Sequence, residues 1–230
     1  MTKKLFIIAH AGAKAYSNEN TLDAFQKAID FKADMIELDC RLHKENKFLV
    51  FHDRRLDKLT PLKGILNKHT LKSIREITFK NQQHIPYLEE AIEYINRQLP
   101  INIELKSNEG TNELIRLLRH YLKNGWSEKD FLISSFNHHH IHIIKKAIPD
   151  IPIALLSAQL SYPYNNTPLL KQCIAIHQSI SYINQEFVHS MHQLNLKVNV
   201  FTVNFKDDAK HLHQMGVDGI FTDSLFPNLP

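Results

Sequence analysis

The chain has 230 residues, 43% of them hydrophobic and 23% charged, with a formal net charge of +4. That length suits one α/β barrel, and that apolar fraction supports a sizeable core. The mild basic excess is spread along the chain, with no block of the kind that binds nucleic acid, so it favours an anionic ligand without demonstrating one.

The first twelve residues, MTKKLFIIAHAG, hold only four consecutive large apolar residues. That is too few for a signal-peptide core or a membrane span, so a cytoplasmic protein without stable membrane insertion is expected. KLFIIA (4–9) reads as a strand. TLDAFQKAIDF (21–31) reads as a helix, with Leu22, Phe25, Ala28 and Ile29 at helical spacing and Asn18 or Asn20 as the cap. DMIELDC (34–40) and FLVFHD (48–53) are strands, and the KENK between them reads as a hairpin turn. From 54 to about 84 the chain is polar and less regular, with one short helix near LKSIREI.

Regular alternation then resumes. Helix 87–98 precedes strand 101–106, helix 112–124 precedes strand 131–136, and helix 140–148 precedes strand 151–157. PLLKQ is a weak short helix and CIAIH (173–177) a weak strand. Helix 184–195, strand 197–203, helix 207–216 and strand 217–223 complete the pattern. With the hairpin arm set aside, eight core strands alternate with helical or irregular crossovers. The expected fold class is α/β: a distorted (β/α)8 TIM barrel, one domain over 1–230. A hairpin extension follows its second strand, and its last helix is short or missing. An open doubly wound sheet is the rival.

In a barrel, reactive groups collect at the C-terminal ends of the strands. Here the first strand ends in His10, and the second carries Glu37 and Asp39. The hairpin strand ends in His52 and Asp53, the third core strand carries Glu104 and Lys106, and the last ends in Thr222 and Asp223. Alternation puts Glu37 with Asp39, and Glu104 with Lys106, on one side of their strands. Three carboxylates and no competing cysteine make a hard oxygen site suited to Mg2+, Ca2+ or Mn2+. Burying them without a cation or hydrogen bonds would be costly. Cys40 and Cys173 sit in apolar runs and read as buried free thiols. His138, His139 and His140 read as a solvated helix cap. His43, His120, His189, His192, His211 and His213 read as surface residues.

This order of motifs resembles the glycerophosphodiester phosphodiesterase family along nearly the whole chain. The family's H-R-G-A and P-E-N-T look like His10-Ala11-Gly12-Ala13 and Asn18-Glu19-Asn20-Thr21. Its E-x-D and V-x-H-D look like Glu37-Leu38-Asp39 and Val50-Phe51-His52-Asp53. Its E-I-K, S-S-F and W-T-V-N look like Glu104-Leu105-Lys106, Ser134-Ser135-Phe136 and Phe201-Thr202-Val203-Asn204, and G-V-D-G-I-x-T-D runs from Gly216 to Asp223.

The resemblance implies one divalent metal ion on Glu37, Asp39 and Glu104, Mg2+ or Ca2+ with Mn2+ as a third option. It implies His10 and His52 as the catalytic pair, and Lys106 and Phe201 as contacts to phosphate and substrate. Glu19, Asn20 and Asp53 are expected to support these from behind. The implied partner is a small glycerophosphodiester, hydrolysed to an alcohol and sn-glycerol 3-phosphate. The oligomeric state stays open. Two positions depart from the pattern: the arginine after the first histidine is Ala11, and the tryptophan is Phe201. Lys14, Arg41 and Lys106 are candidates to replace the missing guanidinium charge. Two rival functions stay open at this point. One is a phospholipase D-like or phospholipase C-like barrel on lysolipids, with YPYNN (162–166) as an apolar rim. The other is a phosphodiester-binding protein with weak or no catalysis, motivated by Ala11.

Overall fold

The structure, a computed structural model, describes residues 4–79, 82–160 and 168–225, so YPYNN lies outside the described residues. Its strands are β1 (Phe6–Ala9), β2 (Met35–Leu42), β3 (Phe48–Val50), β4 (Ile101–Leu105), β5 (Phe131–Ser135), β6 (Ile153–Ser157), β7 (Ala175–Ser179), β8 (Lys197–Phe201) and β9 (Gly219–Thr222). Eight of them pair in parallel in the order β1-β9-β8-β7-β6-β5-β4-β2, and β2 pairs again with β1. That last pairing closes the barrel and excludes the open sheet. β3 lies outside the ring, antiparallel to β2, with Cys40 opposite Val50 and Leu42 opposite Phe48. The expected hairpin is therefore present.

The helices are α1 (Leu22–Asp30), α2 (Leu71–Arg75), α3 (Leu88–Ile95), α4 (Thr111–Lys123), α5 (His138–Ala147), α6 (Gln185–Gln193) and α7 (Lys206–Gln214). Among the described residues none follows β9, as the sequence leads one to expect. α1 starts where the Thr21 hydroxyl accepts the Ala24 N–H, and it buries Ala24, Phe25 and Ala28 against the barrel. Full burial of Phe25 alone is worth about 1.5–3 kcal/mol. The strands read as continuous apolar runs because both faces are covered. Ile133 and Ile153 pack outward with the helices, while Leu132, Ala154, Ala175 and Met35 fill the barrel interior.

The polar arm after β3 has a satellite core of its own: Leu49, Phe51, Leu56, Leu66, Ile74, Ile77 and Ile85. Arg75 ties α2 to α3 through a two-pronged bond to Glu90, both contacts 2.7 Å. No helix among the described residues is long and apolar enough to cross a membrane. Cys40 and Cys173 are buried free thiols, as expected.

Several expectations need correction. The cap of α1 is Thr21 rather than Asn18 or Asn20. β7 runs two residues later than 173–177, because the Cys173 N–H closes a turn on the Leu170 carbonyl. The shift puts His177 and Gln178 into the barrel wall, both buried. His43 is buried rather than on the surface, donating to the His69 carbonyl and accepting from the Glu45 N–H. His140 is buried rather than a solvated cap, hydrogen-bonded to the Thr111 hydroxyl. Both ring nitrogens of His43 find partners and one of His140 does, which offsets the cost of burying them. His138 also opens α5 two residues before its expected start and donates to the Leu156 carbonyl.

Candidate active site

Glu37 and Asp39 project from β2 and Glu104 from β4, where Asp39 stands opposite Glu104. One carboxylate oxygen from each lies within 4.8 Å of the others, and all three residues are buried. Each carboxylate has a specific tie. Ala11 N–H donates to Glu37 Oε2 at 2.8 Å. Asn20 brackets Asp39, its Nδ2 donating to Oδ2 at 2.8 Å and its Oδ1 accepting the Asp39 N–H at 3.1 Å. Lys106 Nζ is ion-paired with Glu104 Oε1 at 2.5 Å and with Asp39 Oδ1 at 3.3 Å.

The loop leaving β1 is shaped for these contacts. Ala11 and Gly12 have φ of 50° and 78°. A Cβ on Gly12 would lie 2.7 Å from that of Ala24, so only glycine brings the loop so close to α1. Gly12 N–H in turn donates to the Glu37 carbonyl.

Burial, with Asp39 and Glu104 alongside, pushes the Glu37 carboxyl well above the usual range. Burial likewise lifts Glu104 to about 7, against the pull of Lys106. Asp39 is buried too, but Lys106, His52, Asn20 and His10 together hold it below its ordinary value. Burial disfavours the Lys106 ammonium, yet the surrounding carboxylates raise it above the ordinary lysine value. One ammonium thus faces three carboxylates. The donor set is all oxygen, dry and under-neutralised, which fits a hard divalent cation.

Each candidate histidine rests on a carboxylate. His10 Nδ1 donates to Asp223 Oδ1 at 2.7 Å, and His52 Nδ1 to Asp53 Oδ1 at 2.6 Å. Asp223 is itself held by Asn204, whose Nδ2 donates to Oδ2 at 2.8 Å and whose Oδ1 accepts the Asp223 N–H at 2.9 Å. Burial alone would raise Asp223, but His10, Lys14 and Asn204 take it below its ordinary value. Of the chain Asn204–Asp223–His10, only His10 was among the expected site residues. The signal for Asp223 was a Thr-Asp pair closing the last strand.

The remaining expected residues fall around this centre. Glu19 faces Lys14 at 3.8 Å, and Lys14 Nζ also stands 3.5 Å from Asp223 Oδ1. Arg41 Nε donates to the His52 carbonyl at 2.7 Å and Nη1 to the Lys106 carbonyl at 3.2 Å. Phe201 packs edge-on against Phe136 and Phe221, with ring centroids 5.9 and 6.2 Å apart. Lys106 Nζ stands 5.6 Å from the Phe136 ring centre. The arrangement offers two carboxylate-backed imidazoles beside an acidic cation site and an aromatic wall.

The sequence profile of the Glycerophosphoryl diester phosphodiesterase family matches residues 10–225. The chain is 33% identical to a glycerophosphodiester phosphodiesterase of Caldanaerobacter subterraneus subsp. tengcongensis, over 96% of this chain and 94% of that one. It is 31% identical to the enzyme of the same name from Bacillus altitudinis, over 99% and 96%. Among solved structures, an Oleispira antarctica phosphodiesterase in complex with the product sn-glycerol-3-phosphate superposes with a TM-score of 0.86. That match has 28% identity and covers 94% of this chain and 92% of the other.

Proposed function

The chain belongs to the glycerophosphoryl diester phosphodiesterase family, and from that membership we propose that it hydrolyses glycerophosphodiesters to an alcohol and sn-glycerol 3-phosphate, with His10 and His52 transferring the protons. The observation that carries the assignment is the pair of carboxylate-backed imidazoles, both near enough to Asp39 to lower its pKa. Glu37, Asp39 and Glu104 would hold one divalent cation, Mg2+ or Ca2+, with Mn2+ a third option. When bound, such an ion offsets the charge that grows on the phosphoryl oxygens.

The chain's own groups then have distinct tasks. Asp223 and Asp53 keep the proton of each neutral imidazole on Nδ1, so Nε2 is the atom that exchanges protons. One histidine takes the proton of the attacking hydroxyl, and the other gives one to the leaving alkoxide. Lys106 contacts the phosphate, and Phe201 with Phe136 walls the substrate on its apolar side. Asn20 holds Asp39 for the cation. The match over 10–225 supports reading the chain as one domain, and a cytoplasmic location belongs to the same reading.

The test is release of sn-glycerol 3-phosphate from glycerophosphocholine and glycerophosphoethanolamine by purified protein with each of Mg2+, Ca2+ and Mn2+. Release that is abolished by a chelator and restored by an ion is expected. No release with any ion contradicts the reading.

A further inference from the structure

Several cavities lie around the carboxylate cluster: one of about 630 Å³ is lined by Glu104, Phe136 and His138, and two polar ones to either side differ in chemistry. On the His10 side, a cavity of about 430 Å³ is lined by Lys14, Asn18, Glu19, Asn204 and Asp223. Its mixed donors and acceptors suit neutral hydroxyls such as those of glycerol. On the His52 side, a cavity of about 500 Å³ is lined by Arg41, Arg54, Asn67, Lys106, Ser107 and Glu109. The arm after β3 forms one wall of it and the loop after β4 the other.

The cavity on the His52 side is cationic. Lys106 is neutralised by Asp39 and Glu104. Arg41 is fixed by the carbonyls of His52 and Lys106. Arg54 is exposed and has no ion-pair partner among the described residues. Asp39 and Asp53 stand close enough to Arg41 to act on its charge, which leaves Arg54 as the freer cation; Glu109 is the one carboxylate in the lining, and no aromatic ring lines the cavity. A quaternary ammonium would meet repulsion and no cation–π surface there. A glycerol half gives a guanidinium no charge to read, whereas an anionic head group does.

We propose that this cavity is the subsite for the alcohol half of the diester, and that Arg54 makes it select head groups bearing an anionic group over cationic ones. The proposal rests on the phosphodiesterase reading and deepens it. Selection arises because the wrong head group brings its charge against an unpaired arginine.

The experiment measures kcat/KM for glycerophosphoserine, glycerophosphoglycerol and glycerophosphocholine with the wild type, Arg54→Ala and Arg54→Glu. The wild type is expected to favour the serine diester over the choline diester by about tenfold or more, the scale of one charged hydrogen bond. Arg54→Ala should shrink that ratio and Arg54→Glu should reverse it, while the uncharged glycerol diester changes by less than about threefold in either. One ranking shared by all three proteins overturns the subsite. If no diester is turned over by the wild type, the reaction reading fails instead. Calorimetric affinities of the same diesters for wild type and Arg54→Glu then decide the subsite, and an unchanged ranking overturns it.

Discussion

Ala11 stands where the family pattern has arginine. It is 2% exposed with φ of 50°, and it serves Glu37 through its backbone N–H. Of the cations that could replace the missing charge, Arg41 is engaged by two carbonyls, and Lys106 lies among the carboxylates. Lys14 is the one whose ammonium stands beside the His10–Asp223 pair while keeping 25% side-chain exposure. Lys14→Ala is therefore expected to raise KM for a glycerophosphodiester by about tenfold or more, the worth of one charged hydrogen bond, with kcat less affected. An unchanged KM would show that phosphate binding here does without Lys14. His177 supplies a separate test. Burial drives its pKa down to about 3, so the ring is neutral in the folded barrel. The unfolded chain protonates it near pH 6.5, so between these values the unfolded state binds one more proton. Stability then falls as pH is lowered through that window, by about 1.4 kcal/mol per pH unit from this residue. His177→Leu should show a shallower loss in urea unfolding between about pH 6 and 4, and an equal slope would contradict the assignment. Such histidines were not legible in sequence. Whether His43, His140 or His177 is buried depends on segments that only the fold brings together, as with Thr111 and His140, 29 residues apart.

At the level of elements, the carboxylates were legible because strand alternation forces Glu37 and Asp39 to one side and parallel register brings Glu104 opposite Asp39. The hairpin was legible too, because a short polar turn separates two apolar runs. The placement of β7 was not. CIAIHQS alternates weakly, and its bounds are set by the turn before it and by pairing with β6 and β8. The least legible element-level feature is the relay across three neighbouring strand ends: Asn204 after β8, Asp223 after β9, His10 after β1. It joins residues 213 apart. Because Asn204 fixes both the carboxylate and the backbone of Asp223, Asn204→Ala is expected to lower kcat about 10–100-fold, with KM little changed. The pH profile of kcat should shift with it, since Asn204 is one of the groups that hold the Asp223 carboxyl below its ordinary value. A loss of stability with kcat and its pH profile intact would make Asn204 structural only.

On the scale of the whole molecule, barrel closure converts scattered strand ends into one site. β2 and β4 carry the carboxylates, β1 and β9 hold one histidine–aspartate pair, and the loop after β3 carries the other. The sequence pattern reached the barrel and these strand ends because α/β alternation repeats eight times. It did not reach the polar bridges that orient them, which depend on side-chain placement across the closed ring. The central claim is that His10 and His52 move the protons. The most direct measurement is turnover of a glycerophosphodiester by His10→Ala and His52→Ala beside the wild type, with folding checked by circular dichroism. Each variant is expected to fold normally and to lose at least about a hundredfold in kcat, the usual worth of a positioned acid or base. A well-folded variant of either kind that keeps near-native turnover would contradict the account.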